Sequence, residues 1–274
     1  MGNQAIYQGP ERRWIGPYLR IGGLEIPYVD RARAIQTIQK SFEDRRQIRV
    51  AFCNANTMLQ AFESREYART LSRCLVLNDG VGVDICSQLV NGRRFEQNLN
   101  GTDLTPALLG ATRRELRIFL LGAKPGVAEE AGRRLEERFP RHRIVGVRDG
   151  YFADHEASEV VAEINAAAPD LVLVALGNPR QETFVAEHAA AMDAPAIMMV
   201  GALLDFIAGR VVRAPRIVRA LRAEWLFRLV QEPRRLGRRY TIDVVRFFGW
   251  IAWLKLRRAS QAMDLAPRRL RPEN

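Results

Sequence analysis

Apolar positions along the chain follow two alternating rhythms. Short apolar runs, each closed by a polar or glycine-rich turn, alternate with longer segments whose apolar residues recur three or four positions apart. The first rhythm predicts buried strands and the second predicts amphipathic helices. Strands are expected at Arg49–Cys53 (RVAFC), Leu75–Asn78, Arg117–Leu121 (RIFLL), Arg143–Val147, Asp170–Leu176 (DLVLVAL) and Ala196–Val200 (AIMMV). Helices are expected at Ala55–Ser72, Val81–Val90, from the Gly101-Thr102-Asp103 turn to Thr112, at Val127–Phe139, at Asp154–Ala167, and after the GNPRQE turn of Gly177–Glu182. Residues 19–29 read as a short hairpin or edge element. Strands separated by helices of this length predict an α/β domain: a Rossmann-like parallel sheet with helices on both faces.

In such a sheet every strand ends on the same edge, which is the default ligand site. Two turns on that edge carry candidate chemistry. In Leu75–Gly82 (LVLNDGVG), Asp79 is a carboxylate at a strand tip, with Gly80 and Gly82 leaving room beside it. Asp79 equally suits a residue that turns the chain or caps the helix beginning near Val81. In GNPRQE, Pro179 suits a first helical turn and leaves Asn178, Arg180 and Gln181 at a junction with unpaired backbone donors; a plain helix cap is the competing reading. The loop Gly122–Gly126 meets neither nucleotide-binding fingerprint, although the helix start after it can offer backbone N–H groups to a phosphate.

Past Gly209 the pattern changes. Residues 214–231 place Ile217, Leu221, Trp225 and Leu229 at helical spacing among arginines, and Val244–Leu256 is apolar nearly all round. If the helix resumes after Pro233, Arg228, Arg235 and Arg238 share one side. Arginine forks suit phosphate oxygens. The expected organisation is a flexible leader over 1–18, an α/β domain over 19–208, a basic helical appendage over 209–258 suited to phosphates or a membrane surface, and a disordered tail over 259–274.

Charge sharpens this division. The 274-residue chain carries a net +11, and residues 209–274 hold 17 Arg and Lys against 5 Asp and Glu, while the other 208 residues hold 25 against 26. A neutral body with a basic tail favours phosphates or an anionic membrane surface over nucleic acid, which would ask for basic and stacking residues on the body as well. Three cysteines without paired spacing argue against a disulfide framework and a zinc site. His142, His155 and His188 each stand beside charged neighbours and are expected to be solvated. No stretch resembles a secretory signal, and no apolar run approaches the ~20 residues of a membrane span. A cytoplasmic protein, peripheral on the inner face of the membrane, is the expectation.

Several stretches together resemble the bacterial WecG/TagA/CpsF glycosyltransferase family: Asn54-Ala55, Asn78–Gly82, Gly101–Leu104, Gly150-Tyr151-Phe152, Leu176–Glu182, Val200-Gly201-Ala202, Asp205-Phe206, Arg213-Ala214-Pro215, Glu224–Leu229 and Glu232–Leu236. The resemblance implies an inverting, metal-independent transferase that needs no cofactor. Such an enzyme moves a hexose (N-acetylmannosamine, its uronic acid, or glucose) from a UDP-sugar to a polyprenyl-diphosphate-linked sugar. It further implies Asp79 as general base, Gln181 as a polar site residue, and Arg228, Arg235 and Arg238 closing over the donor diphosphate. Asn54, Asn56, Gly80, Asp103, Asn178 and Arg180 complete the expected substrate contacts, and a homo-oligomer is a further expectation. Where members of the family commonly carry Thr, this chain has Phe52, so one hydroxyl contact is missing and Asn54 or Asn56 is its candidate replacement. The rival class is a non-catalytic, membrane-associated polyanion-binding module.

Overall fold

The computed structural model describes residues 16–212, 214, 215, 218, 224–231 and 243–256. The expected leader up to residue 15 and the expected tail over 259–274 lie outside the described residues.

The chain opens with a hairpin, β1 (Tyr18–Ile21) and β2 (Leu24–Pro27), turned through Gly22-Gly23. Helix α1 (Arg31–Asp44) leads to β3 (Ile48–Cys53), then α2 (Ala55–Glu63), α3 (Arg65–Leu71), β4 (Leu75–Asn78), α4 (Val81–Asn91) and α5 (Gly101–Ala111). The second half runs β5 (Arg117–Gly122), α6 (Val127–Arg138), β6 (Arg143–Arg148), α7 (Ala157–Ala166), β7 (Leu171–Ala175), α8 (Arg180–His188), β8 (Ala196–Met199) and α9 (Leu203–Ile207). Two further helices follow, α10 (Glu224–Gln231) and α11 over residues 243–256.

Six strands form one sheet in the order β4-β3-β8-β7-β5-β6, and every pairing is parallel. Alternate strand residues face opposite sides. Val50, Phe52, Leu75, Leu77, Ile118, Leu120, Leu171 and Leu173 pack beneath α1, α5, α6 and α9. Ala51, Cys53, Val76, Phe119, Leu121, Val172 and Val174 pack beneath α2, α3, α7, α8 and the hairpin. With both faces covered, the strands read as continuous apolar runs, as the sequence predicts.

Three expectations are corrected. The segment 55–72 is two helices, because Ser64 is extended (φ −121°, ψ 112°), ends α2, and caps α3 by accepting from Tyr67 N–H at 3.1 Å. The segment 154–167 begins with a 3-10 turn, and α7 proper starts at Ala157. His142 is buried, not solvated. Its Nδ1 accepts from Leu116 N–H at 3.2 Å and its Nε2 lies 2.9 Å from Leu109 O, so a neutral ring bridges α5 to the start of β5. The charged neighbours that suggested a solvated ring turn outward, while the imidazole supplies one acceptor and one donor to a buried junction.

A fourth correction concerns the apolar C-terminal stretch. Phe247, Trp250, Ile251 and Leu254 follow a helical spacing on α11, and they pack on the body in the same cluster as the hairpin, not outward. Trp250 lies over the hairpin turn so closely that a Cβ on Gly22 (φ +58°) would meet its ring at 2.2 Å. Phe62 of α2 contacts both Trp250 and Trp253, at 5.2 and 5.4 Å between centroids, and Arg246 pairs with Glu63. Docking buries the ~150–250 Å² that each aromatic offers, which an interfacial helix would give to lipid instead. Val245 and Leu256 are exposed on the opposite side, and Phe248 and Trp253 are exposed along its flanks.

Candidate functional site

The carboxyl ends of β3, β4, β7 and β8 meet on one edge of the sheet, and the expected site residues with described side chains sit around it. Asp79 follows β4 directly; its N–H donates to Cys53 O at 2.8 Å, adding a last rung to the β3–β4 pairing. That rung places Asp79 one strand away from Asn54. The N-cap of α4 is Gly80 (φ 89°, ψ 166°), which carries no side chain, so Asp79 is not the cap. The Gly80 N–H donates to Asn98 Oδ1 at 2.9 Å. Helices α2 and α4 start side by side because Gly82 has no side chain: a Cβ there would meet Ala55 Cβ at 2.8 Å.

Asn54 caps α2. Its Oδ1 accepts from the N–H groups of Asn56 and Thr57, at 3.0 and 3.2 Å. Asp103, in the first turn of α5, is held by Asn100, which gives its Nδ2 to Asp103 Oδ2 at 3.0 Å and takes Asp103 N–H on its Oδ1 at 2.9 Å. Phe52 is buried with its ring against Gly101, where it supplies apolar packing to the start of α5.

At the centre of the edge the amides form one network with a buried carboxylate. Asn178 Nδ2 donates to Glu182 Oε1 at 2.8 Å, lies 3.1 Å from Tyr67 Oη, and reaches Thr57 Oγ1 at 3.4 Å. Its Oδ1 accepts from Asn56 Nδ2 at 3.3 Å. Gln181 is buried; its Nε2 donates to Glu182 Oε1 at 2.9 Å and to Met199 O at 3.3 Å, while its Oε1 accepts from Gly201 N–H at 3.2 Å. Gln181 thus ties the end of β8 to the start of α8. Arg180, by contrast, donates to Gly150 O and Phe152 O and lies 4.7 Å over the Phe152 ring, which pins the loop after β6.

Electrostatics mark the same spot. Cys53 is fully buried between Asp79 and Glu182; burial pushes its thiol well up, and the two carboxylates push it further. A thiol kept neutral in this way is a poor nucleophile. Burial also raises the Glu182 carboxyl above the ordinary range, although the donors from Gln181, Asn178 and Tyr67 pull it back. The Tyr67 hydroxyl is raised as well, by burial first and by Glu182 next.

Of the three arginines expected over the donor diphosphate, Arg228 lies on α10 with its side chain outside the described residues, and Arg235 and Arg238 lie outside them altogether. Among the described residues, no cluster of His, Cys, Asp and Glu has the makings of a metal site.

The family model for the glycosyl transferase WecG/TagA/CpsF family matches residues 19–261. The chain belongs to that family. It is 33% identical over 222 residues to a protein of Bacillus subtilis strain 168 described as N-acetylglucosaminyldiphosphoundecaprenol N-acetyl-beta-D-mannosaminyltransferase, covering 79% of this chain and 86% of that one. A Bacillus spizizenii protein of the same description is 33% identical over 195 residues, covering 70% of this chain and 75% of the relative. Membership among glycosyl transferases sets aside the rival reading of a non-catalytic polyanion-binding module.

In this glycosyl transferase, sequence reasoning passed over the hub of the network. Glu182 belongs to the GNPRQE turn, but a glutamate in a first helical turn normally answers the helix dipole from the surface. Only the packing of α3 against α8 buries it. Tyr67 and Thr57 were equally hidden, since each reads as an apolar-face or cap residue of its own helix. The one available signal was the run of amide side chains at Asn54, Asn56, Asn178 and Gln181, which need buried partners if they are not solvated.

Proposed function

We propose that this chain transfers a hexose from a UDP-sugar to a polyprenyl-diphosphate-linked sugar in the synthesis of a cell-surface polysaccharide, with inversion and without a metal. The observation that carries the reading is the match to two N-acetylmannosaminyltransferases, whose described acceptor is N-acetylglucosaminyldiphosphoundecaprenol. Asp79 stands at the tip of β4 beside the amide network, where a carboxylate can take the proton of an attacking sugar hydroxyl. A positioned base of this kind contributes ~10²–10⁴-fold. As the sugar–phosphate bond breaks, negative charge gathers on UDP, and Arg228, Arg235 and Arg238 answer it; each charged hydrogen bond is worth about 1.5–3 kcal/mol.

The direct test offers the full chain UDP-N-acetylmannosamine, its uronic acid or UDP-glucose, with an N-acetylglucosaminyl-diphospholipid as acceptor. One donor should yield a disaccharide-lipid by mass spectrometry, and no product from any of them overturns the proposal. Turnover should survive excess EDTA, whereas changing any one of the three arginines to Ala should lower it by roughly 10- to 100-fold, the equivalent of ~1.5–3 kcal/mol. Strict dependence on Mg²⁺ or Mn²⁺ rules out arginines in place of a metal.

We place the enzyme on the inner face of the membrane, bound through the outer side of α11. No helix among the described residues is long and apolar enough to cross a bilayer. Val245, Phe248, Trp253 and Leu256 are exposed on α11 together with Lys255, and Phe62 lies alongside. Basic residues near an anionic surface add about 1 kcal/mol each. The full chain should sediment with phosphatidylglycerol liposomes at low salt and less at high salt, and the Phe248→Ser/Trp253→Ser variant should stay in solution. A wild-type chain that remains in the supernatant refutes membrane binding by this route.

A further inference from the structure

The hydrogen-bond polarity of the amide network runs in one direction, and it ends at the half-exposed Asn56 on the strand-end edge of the sheet. Glu182 Oε1 accepts from two donors, Asn178 Nδ2 at 2.8 Å and Gln181 Nε2 at 2.9 Å. Its other oxygen, Oε2, is buried with no partner among the described residues. A proton on the acid goes to Oε2, the oxygen with no donor against it, so Oε1 accepts in both protonation states. An acceptor at that point turns the NH2 end of Asn178 inward and leaves its Oδ1 facing Asn56. Asn56 must then give its own NH2 to Asn178, which it does at 3.3 Å. A planar amide that points its nitrogen one way points its oxygen the other. No donor among the described residues reaches Asn56 Oδ1, and Asn56 is half-exposed at the first turn of α2, one strand from Asp79.

We infer that Asn56 presents a hydrogen-bond acceptor at the strand-end edge of the sheet, set in that orientation by the buried Glu182 through Asn178, and that this corner receives a hydroxyl or acetamido N–H of a sugar and not the diphosphate. A phosphate has only acceptor oxygens and would meet Asn56 Oδ1 acceptor to acceptor. A sugar ring carries donors on nearly every carbon. Both sources of such a donor fit, the sugar of the nucleotide and the sugar of the lipid, and they share the chemistry. Glu182 acts through Asn178 and is a positioning residue. The inference rests on the sugar-transfer reading given above and adds which end of the substrates lies beside β3.

The experiment uses the full chain and separates the two sources. Binding of UDP and of the active UDP-sugar is measured by calorimetry, and KM is measured for the N-acetylglucosaminyl-diphospholipid. In Asn56→Ala, UDP should bind as in the wild type. The UDP-sugar affinity or the lipid KM, whichever sugar lies at Asn56, should worsen by about 3- to 10-fold, the value of one neutral hydrogen bond. Glu182→Gln keeps an oxygen toward the same donors and should resemble the wild type. Glu182→Met removes the acceptor, frees Asn178 to turn over, and should show the same shift as Asn56→Ala, with no further loss in the double variant. If Glu182→Met does not fold, the Asn56→Ala measurements still decide what Asn56 accepts from. Equal weakening of UDP and UDP-sugar in Asn56→Ala places part of UDP itself, its ribose, uracil or diphosphate, at this corner and overturns the assignment, as does a variant indistinguishable from the wild type in both measurements. Additive losses in the double variant overturn the relay from Glu182. A wild-type chain that neither binds UDP nor transfers sugar overturns the proposed function together with this assignment, whereas an active wild type with an unaffected Asn56→Ala overturns the assignment alone.

Discussion

Asp79→Asn lowers sugar transfer by at least ~10²-fold and leaves UDP affinity nearly unchanged. The substitution keeps the shape of the side chain and the Asp79 N–H bond to Cys53 O that fixes its backbone beside β3. What it removes is the ability to accept a proton. The N-cap of α4 is Gly80, so the change leaves the capping residue itself in place. Single-turnover kinetics with the active donor, set beside UDP calorimetry, separate the two quantities. Residual turnover above about a tenth of wild type is more than loss of a base allows and removes Asp79 from that role. A matching fall in UDP affinity would instead assign the carboxylate to donor binding.

Trp250→Ala detaches α11 from the body at a cost of about 3 kcal/mol, the lower end for loss of a buried large aromatic. The lower end applies because the Trp250 Nε1 is buried without an acceptor among the described residues, so truncation also removes an unsatisfied donor. The ring fills the space over Gly22 and touches Phe62, and Phe247 and Ile251 flank it on the same face. Equilibrium urea unfolding should report the loss, and cleavage by trypsin within 243–258 should become faster. Gly22→Ala attacks the same contact from the other side and should loosen α11 in the same protease assay. Unchanged cleavage in both variants would mean that α11 holds to the body by other contacts. The liposome experiment is affected as well. Truncation before Thr241 removes the exposed Phe248 and Trp253, but it also uncovers the apolar surface around Phe62 and Gly22, so the exposed-face substitutions are the cleaner comparison.

The order of strands and helices was legible in the chain because burial on both faces leaves an unmistakable mark: continuous apolar runs such as LVLVA at Leu171–Ala175, separated by segments of helical period. The edge that carries the candidate site was legible too, since parallel strands with helical crossovers must all end on one side. Short-range chemistry placed Asp79, Gly80, Asn178 and Gln181 at the strand ends of that edge, and the structure has them there. The break at Ser64 escaped because one serine can continue a helix or cap the next one, and packing made the choice.

What the sequence by itself determined is therefore the alternation of elements, the parallel sheet, and a polar turn at the end of each strand, because these depend on periodicity and local turn chemistry. The tertiary structure alone decided partnership. It brought Tyr67 and Glu182 together from helices far apart in the chain, buried a carboxylate that locally suits a solvated first turn, and turned the amides of Asn178 and Asn56 in one direction. It also decided that Phe247, Trp250 and Ile251 belong to the core and Phe248 and Trp253 to the surface. An apolar helix can satisfy its side chains on a membrane or on a protein equally well. The seat of the Trp250 indole over Gly22 and against Phe62, together with the Arg246–Glu63 pair, settles which face goes where.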